Sequence, residues 1–110
     1  MSTNTPSPMD LLRSISPEGA KTFLEHRTAI LENPELQAIP EKYKLLIGIG
    51  VAAAMQCEAC TLQWTKQARG LGATDAEIVE ALLVSRHMKM ATVNVTAGQA
   101  LAWLQEHPKR

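Results

Sequence analysis

Cys57-Glu58-Ala59-Cys60 holds the only two cysteines of the chain. They stand at the start of a helix-forming stretch, directly after the apolar run 45–55. Two cysteines three apart share one face of a helical turn, close enough to form a disulfide or to share a metal. The first turn of a helix also offers free backbone N–H groups and the positive end of a dipole, which favour a thiolate. A structural zinc site needs four ligands. The chain adds only His26, His87 and His107, which are scattered and form no second paired motif, so no metal is expected. Two readings of the pair remain: a redox-active dithiol, or two inert thiols packed as small hydrophobes. The dithiol leads.

Other groups could serve a thiol. His87 lies in Ser85-Arg86-His87-Met88-Lys89, a polar break in an otherwise apolar helix. If that helix packs against the CxxC helix, His87 would be the base, with Arg86 or Lys89 holding a thiolate. Otherwise the three form the solvated face of an amphipathic helix. Glu58, between the cysteines, would relay protons, or would simply complement a helix dipole. His26 sits with Glu25 and Arg27 on an exposed stripe, and His107 near a frayed end; neither is expected to take part. Met55, Met88 and Met90 read as adaptable core.

The elements that must position these groups are all helical. Residues 1–15 are rich in Ser, Thr and Pro and read as a mobile arm, ending in one helical turn begun by Ser7-Pro8. Residues 16–110 read as one helical domain. Ser16-Pro17-Glu18 starts a helix: an N-cap hydroxyl, a proline at the first position, an acid. It carries Phe23, Leu24, Ile30 and Leu31 and stops near Asn33-Pro34. Pro40-Glu41 opens a second helix, to about Gln56. The CxxC helix runs from about Cys57 to Arg69 and stops at Gly70-Leu71-Gly72, which suits a left-handed C-terminal cap. Thr74-Asp75-Ala76-Glu77 is a capping box, opening a helix to about Met90. A last helix spans roughly 92–106 and stops at His107-Pro108. No stretch alternates with period two, so no strands are expected.

Composition narrows the function. At 110 residues the chain is one small domain, formally neutral. Balanced charge gives no electrostatic case for nucleic acid or acidic lipid, and 4% aromatics leave no base-stacking surface. The start has no basic residue and no apolar segment of the signal-peptide kind. Residues 45–55 are too few to cross a bilayer. A soluble cytoplasmic protein is expected, where a CxxC is a working dithiol or metal site more often than a permanent staple. The helix from Glu77 carries Ile78, Val79, Ala81, Leu82, Leu83 and Val84 over more than one face. A second apolar face predicts a subunit interface. The small residues of Gly48-Ile49-Gly50-Val51-Ala52-Ala53-Ala54 allow close helix approach, either within the chain or between chains.

Residues 42–60, followed by Gly-Ala-Thr74-Asp-Ala-Glu77-Ile-Val-Glu-Ala-Leu82, resemble the carboxymuconolactone decarboxylase superfamily, in particular its AhpD-like alkylhydroperoxidase branch. The resemblance covers roughly residues 18–106. It implies an all-α, compact AhpD-like domain of about five or six helices that assembles as a trimer or hexamer. It implies thiol-dependent reduction of a peroxide, with Cys57 and Cys60 cycling between dithiol and disulfide, no cofactor, and a protein disulfide reductant. The chain departs from the family pattern at two places. The branch carries a histidine four residues after the second cysteine and a glutamate twelve before the first; Trp64 and Leu45 stand there. The family's proton relay is therefore replaced by two apolar groups. An indole one turn after Cys60 is expected to cover that thiol and cannot take its proton. Trp64 and Leu45 would then be pocket walls. The alternative function is a non-catalytic helical oligomer that kept the fold as a binding or scaffold protein. A third is an enzyme that uses the same apolar pocket on another small molecule.

Overall fold

The computed structural model describes residues 5–109, which carry six α-helices and no strand. They fall into two compact units, one ending at Glu41 and one beginning at Lys42.

The first unit holds α1 (Pro8–Ile15), α2 (Pro17–Glu32) and a 3₁₀ turn (Pro34–Leu36). Residues 8–15, expected to give a single turn at the end of an arm, make two turns of regular helix. The cause is a full capping box: the Ser7 hydroxyl accepts the Asp10 N–H, and the Asp10 carboxylate accepts the Ser7 N–H. Residues 1–4 of the expected arm lie outside the described residues. Ser16 closes α1 through its N–H to the Leu12 carbonyl and caps α2 by accepting the Gly19 N–H. A side chain on Gly19 would press within 2.9 Å of the Ser16 hydroxyl, so glycine suits that turn. The side-chain amide of Gln37 donates to the carbonyls of Leu31 and Asn33, groups that the end of α2 would otherwise leave open. Ala20 and Leu31 are buried, whereas Phe23, Leu24 and Ile30 keep substantial exposure.

The second unit carries α3 (Glu41–Ala54) from Lys42 onward, α4 (Glu58–Gly70), α5 (Asp75–Thr96) and α6 (Gly98–Glu106). Leu45 and Ile49, one turn apart on α3, are buried. Glycines let neighbouring helices approach α3. The Ser85 hydroxyl of α5 donates to the Gly50 carbonyl at 2.6 Å. The Thr74–Glu77 capping box opens α5 as its sequence predicts. Lys42 at the start of α3 reaches Glu77 at 3.1 Å, fastening the two helix starts together. Glu77 is held below its ordinary carboxylate range, first by the Thr74 N–H and then by Lys42; Lys42 is in turn raised by Glu77. Arg69 pairs with Asp75 across the turn from α4 to α5.

The helix from Asp75 runs to Thr96 rather than to about Met90, and the last helix begins at Gly98 rather than near Thr92. Residues 91–96 hold no glycine or proline. Their β-branched side chains lower helix propensity by only tenths of a kcal/mol each, too little to stop a helix already running. The break falls instead at Ala97-Gly98. No helix among the described residues is long and apolar enough to cross a membrane.

Both ends of the α3–α4–α5 connection are Schellman turns. At the end of α4, the Gly72 N–H bonds the Arg69 carbonyl and the Ala73 N–H bonds the Ala68 carbonyl, each at 3.0 Å, with Gly72 at φ +89°. Ala68 and Ala73 are both buried, supplying the apolar contact of that motif. At the end of α3, the Gln56 N–H bonds Ala53 and the Cys57 N–H bonds Ala52 in the same pattern. Here the left-handed position, φ +62°, is filled by Gln56. An L side chain costs about 1–2 kcal/mol in that conformation. Gln56→Gly is therefore expected to stabilise the protein by about 1 kcal/mol, less what glycine adds to the freedom of the unfolded chain. Urea unfolding of the oxidised protein checks this; an unchanged or lower midpoint would mean that the side chain makes compensating contacts.

Candidate functional site

The turn at Gln56 decides where the cysteines stand. It ends α3 and presents Cys57 in extended conformation, φ −96° and ψ 92°, as the N-cap of α4. Cys57 Sγ accepts the Cys60 N–H at 3.2 Å, the bond a serine or aspartate hydroxyl or carboxylate oxygen would make at an N-cap. The Cys57 carbonyl accepts both the Thr61 N–H and, at 2.8 Å, the Thr61 hydroxyl, which fixes the cap backbone. Cys57 and Cys60 are joined as a disulfide, with their Cα atoms 5.3 Å apart. Cys57 is half-buried and Cys60 exposed.

A cleft of about 550 Å³ opens beside the pair. It is lined by Cys57, Glu58 and Thr61 together with Ala53, Gln56, Leu62 and Thr65. Of the residues singled out in the sequence, the structure brings Cys57, Cys60 and Glu58 together. His87 sits on an exposed part of α5 and does not line this cleft. Leu45 is buried on α3. Trp64 is half-buried, and the six-membered edge of its indole lies directly on Gly48. The indole was expected over Cys60; it turns to α3, and Cys60 keeps its exposure. Gly48 permits this, because it bears no side chain where the ring lies. The small-residue stretch of α3 thus works within the chain, Gly48 receiving Trp64 and Gly50 lying near α5. Gln56 and Thr61 were missed as site residues. Thr61 was legible as the residue one turn after an N-cap. Gln56 carried no signal, since glycine is the residue that marks such a turn.

Among the described residues no three His, Cys, Asp or Glu side chains are placed to hold a metal. His107 takes another role: its ring stacks on Trp103 with centroids 4.3 Å apart, and Nδ1 lies 2.9 Å from the Trp103 carbonyl.

The model of the carboxymuconolactone decarboxylase family matches residues 17–106. A protein of Paracoccus denitrificans described as uncharacterized protein 4 in the cox locus is 38% identical over 69 residues, 63% of this chain and 62% of that protein. The chain therefore matches under two thirds of that relative's length. The fold is similar to that of a protein from Methanobacterium thermoautotrophicum whose crystal structure was solved by a structural genomics consortium. The TM-score is 0.75 at 28% identity, over 84% of this chain and 97% of that one.

The contact between Gly48 and Trp64 leaves no room for a methyl group. Gly48→Ala is expected to cost about 1–3 kcal/mol, the usual range for overpacking. Combined with Trp64→Leu, the cost should be well below the sum of the two single changes, because one removes what the other strikes. Urea unfolding of the four proteins measures this. Strict additivity would mean that the ring and the glycine do not touch in solution.

Proposed function

Because the chain belongs to the carboxymuconolactone decarboxylase family, we propose that its paired cysteines make it a thiol–disulfide oxidoreductase of the AhpD-like kind, reducing a hydroperoxide. The observation that carries this reading is the Cys57–Cys60 pair at the start of α4, with Cys57 opening on a cleft. A thiolate of the pair attacks the peroxide; a sulfur–oxygen bond forms, the O–O bond breaks, and the alcohol leaves with a proton. The other cysteine then attacks that sulfur. The disulfide forms, and the oxygen leaves as water with the remaining proton. A dithiol protein reductant returns the pair to its starting state by exchange. A reducing compartment such as the cytoplasm suits that cycle.

Activity is expected to be weak. A placed base contributes about 10²–10⁴-fold to a proton transfer. Leu45 is buried in the helix and Trp64 is packed on Gly48, so neither position supplies one. Glu58 is the titratable group, apart from the cysteine, that lines the cleft. The same facts favour the second reading, a non-catalytic helical oligomer that retains the fold.

We also propose that the chain is a homo-oligomer, a trimer or hexamer. Tyr43, Ile47 and Val51 of α3 and Val84 and Met88 of α5 line one exposed apolar groove, with Leu46, Ala54 and Ala81 in it. Contiguous apolar surface of that kind marks an interaction site.

Two measurements test these readings. Reduced protein treated with an organic hydroperoxide should lose two hydrogens within one peptide spanning Cys57 and Cys60, and should turn over peroxide with dithiothreitol. Cys57→Ser and Cys60→Ser should each abolish turnover. Persistent free thiols, or cross-linked chains only, would favour the scaffold reading. Light scattering at low micromolar concentration should give a mass well above 12.0 kDa. Met88→Glu should lower that mass by setting a charge in the groove; a monomeric natural protein would remove the oligomer.

A further inference from the structure

The cleft beside the disulfide carries charge of one sign. Ala53 and Leu62 give it an apolar lining, and Gln56, Thr61 and Thr65 a neutral polar one. Among the described residues Glu58 is the one that brings a charge to it. Resting on the oxidoreductase reading above, we propose that Glu58 is a specificity-determining residue. It selects thiols and hydroperoxides that are neutral or cationic beside their reacting atom over those that carry an anionic group there.

The helix fixes where this charge stands. Cys57 is the N-cap of α4 and Glu58 its first residue, between the two bonded cysteines. Neighbouring Cα atoms lie about 3.8 Å apart. Glu58, Thr61, Leu62 and Thr65 recur at the spacing of one helix face, and all four line the cleft. A reagent that meets Cys57 in the cleft is therefore within a Debye length of the carboxylate, about 10 Å at 0.1 M salt.

Other fields at that place do not cancel it. The N-terminal end of α4 is positive, but by the equivalent of about half a unit charge. A full carboxylate charge exceeds that and leaves the cleft net negative. No lysine or arginine lines the cleft among the described residues. Arg69, near the far end of α4, is paired with Asp75, and Lys42 with Glu77. The chain is formally neutral, so its net charge adds no opposing field.

The chemistry makes the selection matter. The species that attacks a disulfide is a thiolate, already an anion. A second anionic group brings it to the cleft as a dianion, whereas an ammonium makes it neutral overall. In water, one unit charge close to another changes an encounter by about threefold. The class of substrate that follows is a small uncharged alkyl hydroperoxide, its alkyl part against Ala53 and Leu62. The reductant that follows is a dithiol with neutral or basic surroundings.

The test uses the full oxidised chain and two small thiols, cysteamine and 2-mercaptoethanesulfonate. In each case a thiolate attacks one sulfur of the pair, the S–S bond breaks, and the other cysteine leaves as thiolate. A second thiol molecule attacks the mixed disulfide, frees the remaining cysteine and departs as the small-molecule disulfide. The readout is the cysteamine-to-sulfonate rate ratio of the natural protein divided by that of Glu58→Gln. Intrinsic differences between the thiols cancel in this quotient, and so does any effect of Glu58 on the leaving cysteine. A merely structural role would leave the quotient at one. It should be about fivefold at roughly 10 mM salt and approach one at about 1 M. Glu58→Asp, which keeps the charge, should keep the natural ratio, and circular dichroism checks that both variants retain their helices. A quotient of one at low salt, a quotient that salt does not reduce, or loss of the ratio in Glu58→Asp overturns the proposal. None of these readouts needs peroxide turnover. If the quotient holds but the reduced protein never closes the Cys57–Cys60 bond with tert-butyl hydroperoxide, the oxidoreductase reading falls and the selection by Glu58 stands. If the bond closes and the quotient is one, only the selection falls.

Discussion

The left-handed turn at Gln56 is the constraint on which the site depends. An α-helix leaves its last carbonyls open, and its successor leaves its first N–H groups open. Here one turn answers both needs in a few residues. The Gln56 and Cys57 N–H groups close the end of α3, and the sulfur of Cys57 caps the start of α4. Without a residue at φ +62° the chain could not reverse so tightly, and Cys57 would not arrive at the cap in extended conformation. The equivalent turn at the end of α4 uses Gly72, which bears no steric cost at positive φ. That glutamine rather than glycine occupies the turn beside the cysteines is the kind of local strain that gathers at functional sites. The residue also lines the cleft.

A second constraint is how closely helices come to α3. Gly48 and Gly50 lie two apart, so they open opposite sides of the helix. Gly50 lets α5 come near enough for Ser85 to bond its carbonyl. Gly48 receives the six-membered part of the Trp64 ring. The indole therefore takes part in the packing of α4 on α3. This changes what the loss of the family's relay means physically. Trp64 packs on Gly48, and Cys60 keeps its exposure. What remains to govern the sulfurs is backbone: the cap, the N–H and the dipole.

The legible parts of the fold were those written in local chemistry. Ser16-Pro17, Thr74 with Glu77, and Gly72 each satisfy named backbone groups within a few residues, and each stands where its chemistry requires. The CxxC spacing carried the disulfide for the same reason. The unread parts needed information from outside the segment. The Ser7–Asp10 box was present in the sequence, but a short helix beside a Ser- and Pro-rich stretch gave little weight to it. The division between α5 and α6 falls later than the sequence suggests, because nothing in residues 91–96 interrupts a helix already running. The direction of Trp64 was read from the register of α4 alone. A half-buried aromatic goes where a neighbouring helix leaves space, and only Gly48 on another helix could say where that was. His87 shows the opposite case: a polar break in an apolar helix was a fair sign of a site, yet the break is exposed and away from the cleft.

The cap gives the cysteine pair a structural place that needs no neighbouring side chain. A proton relay activates a thiol through side chains, which a single substitution removes. An N-cap activates it through backbone groups that the helix must satisfy in any case, since an open N–H in the first turn is itself costly. Cys57 meets that structural need and is poised for chemistry by the same bond. Trp64 in place of a histidine leaves that backbone arrangement intact. Losing Cys57 to an apolar residue would leave α4 uncapped and the cleft without its sulfur. The side chain that caps α4 is thus also one half of the disulfide, which ties the cysteine pair to the fold itself.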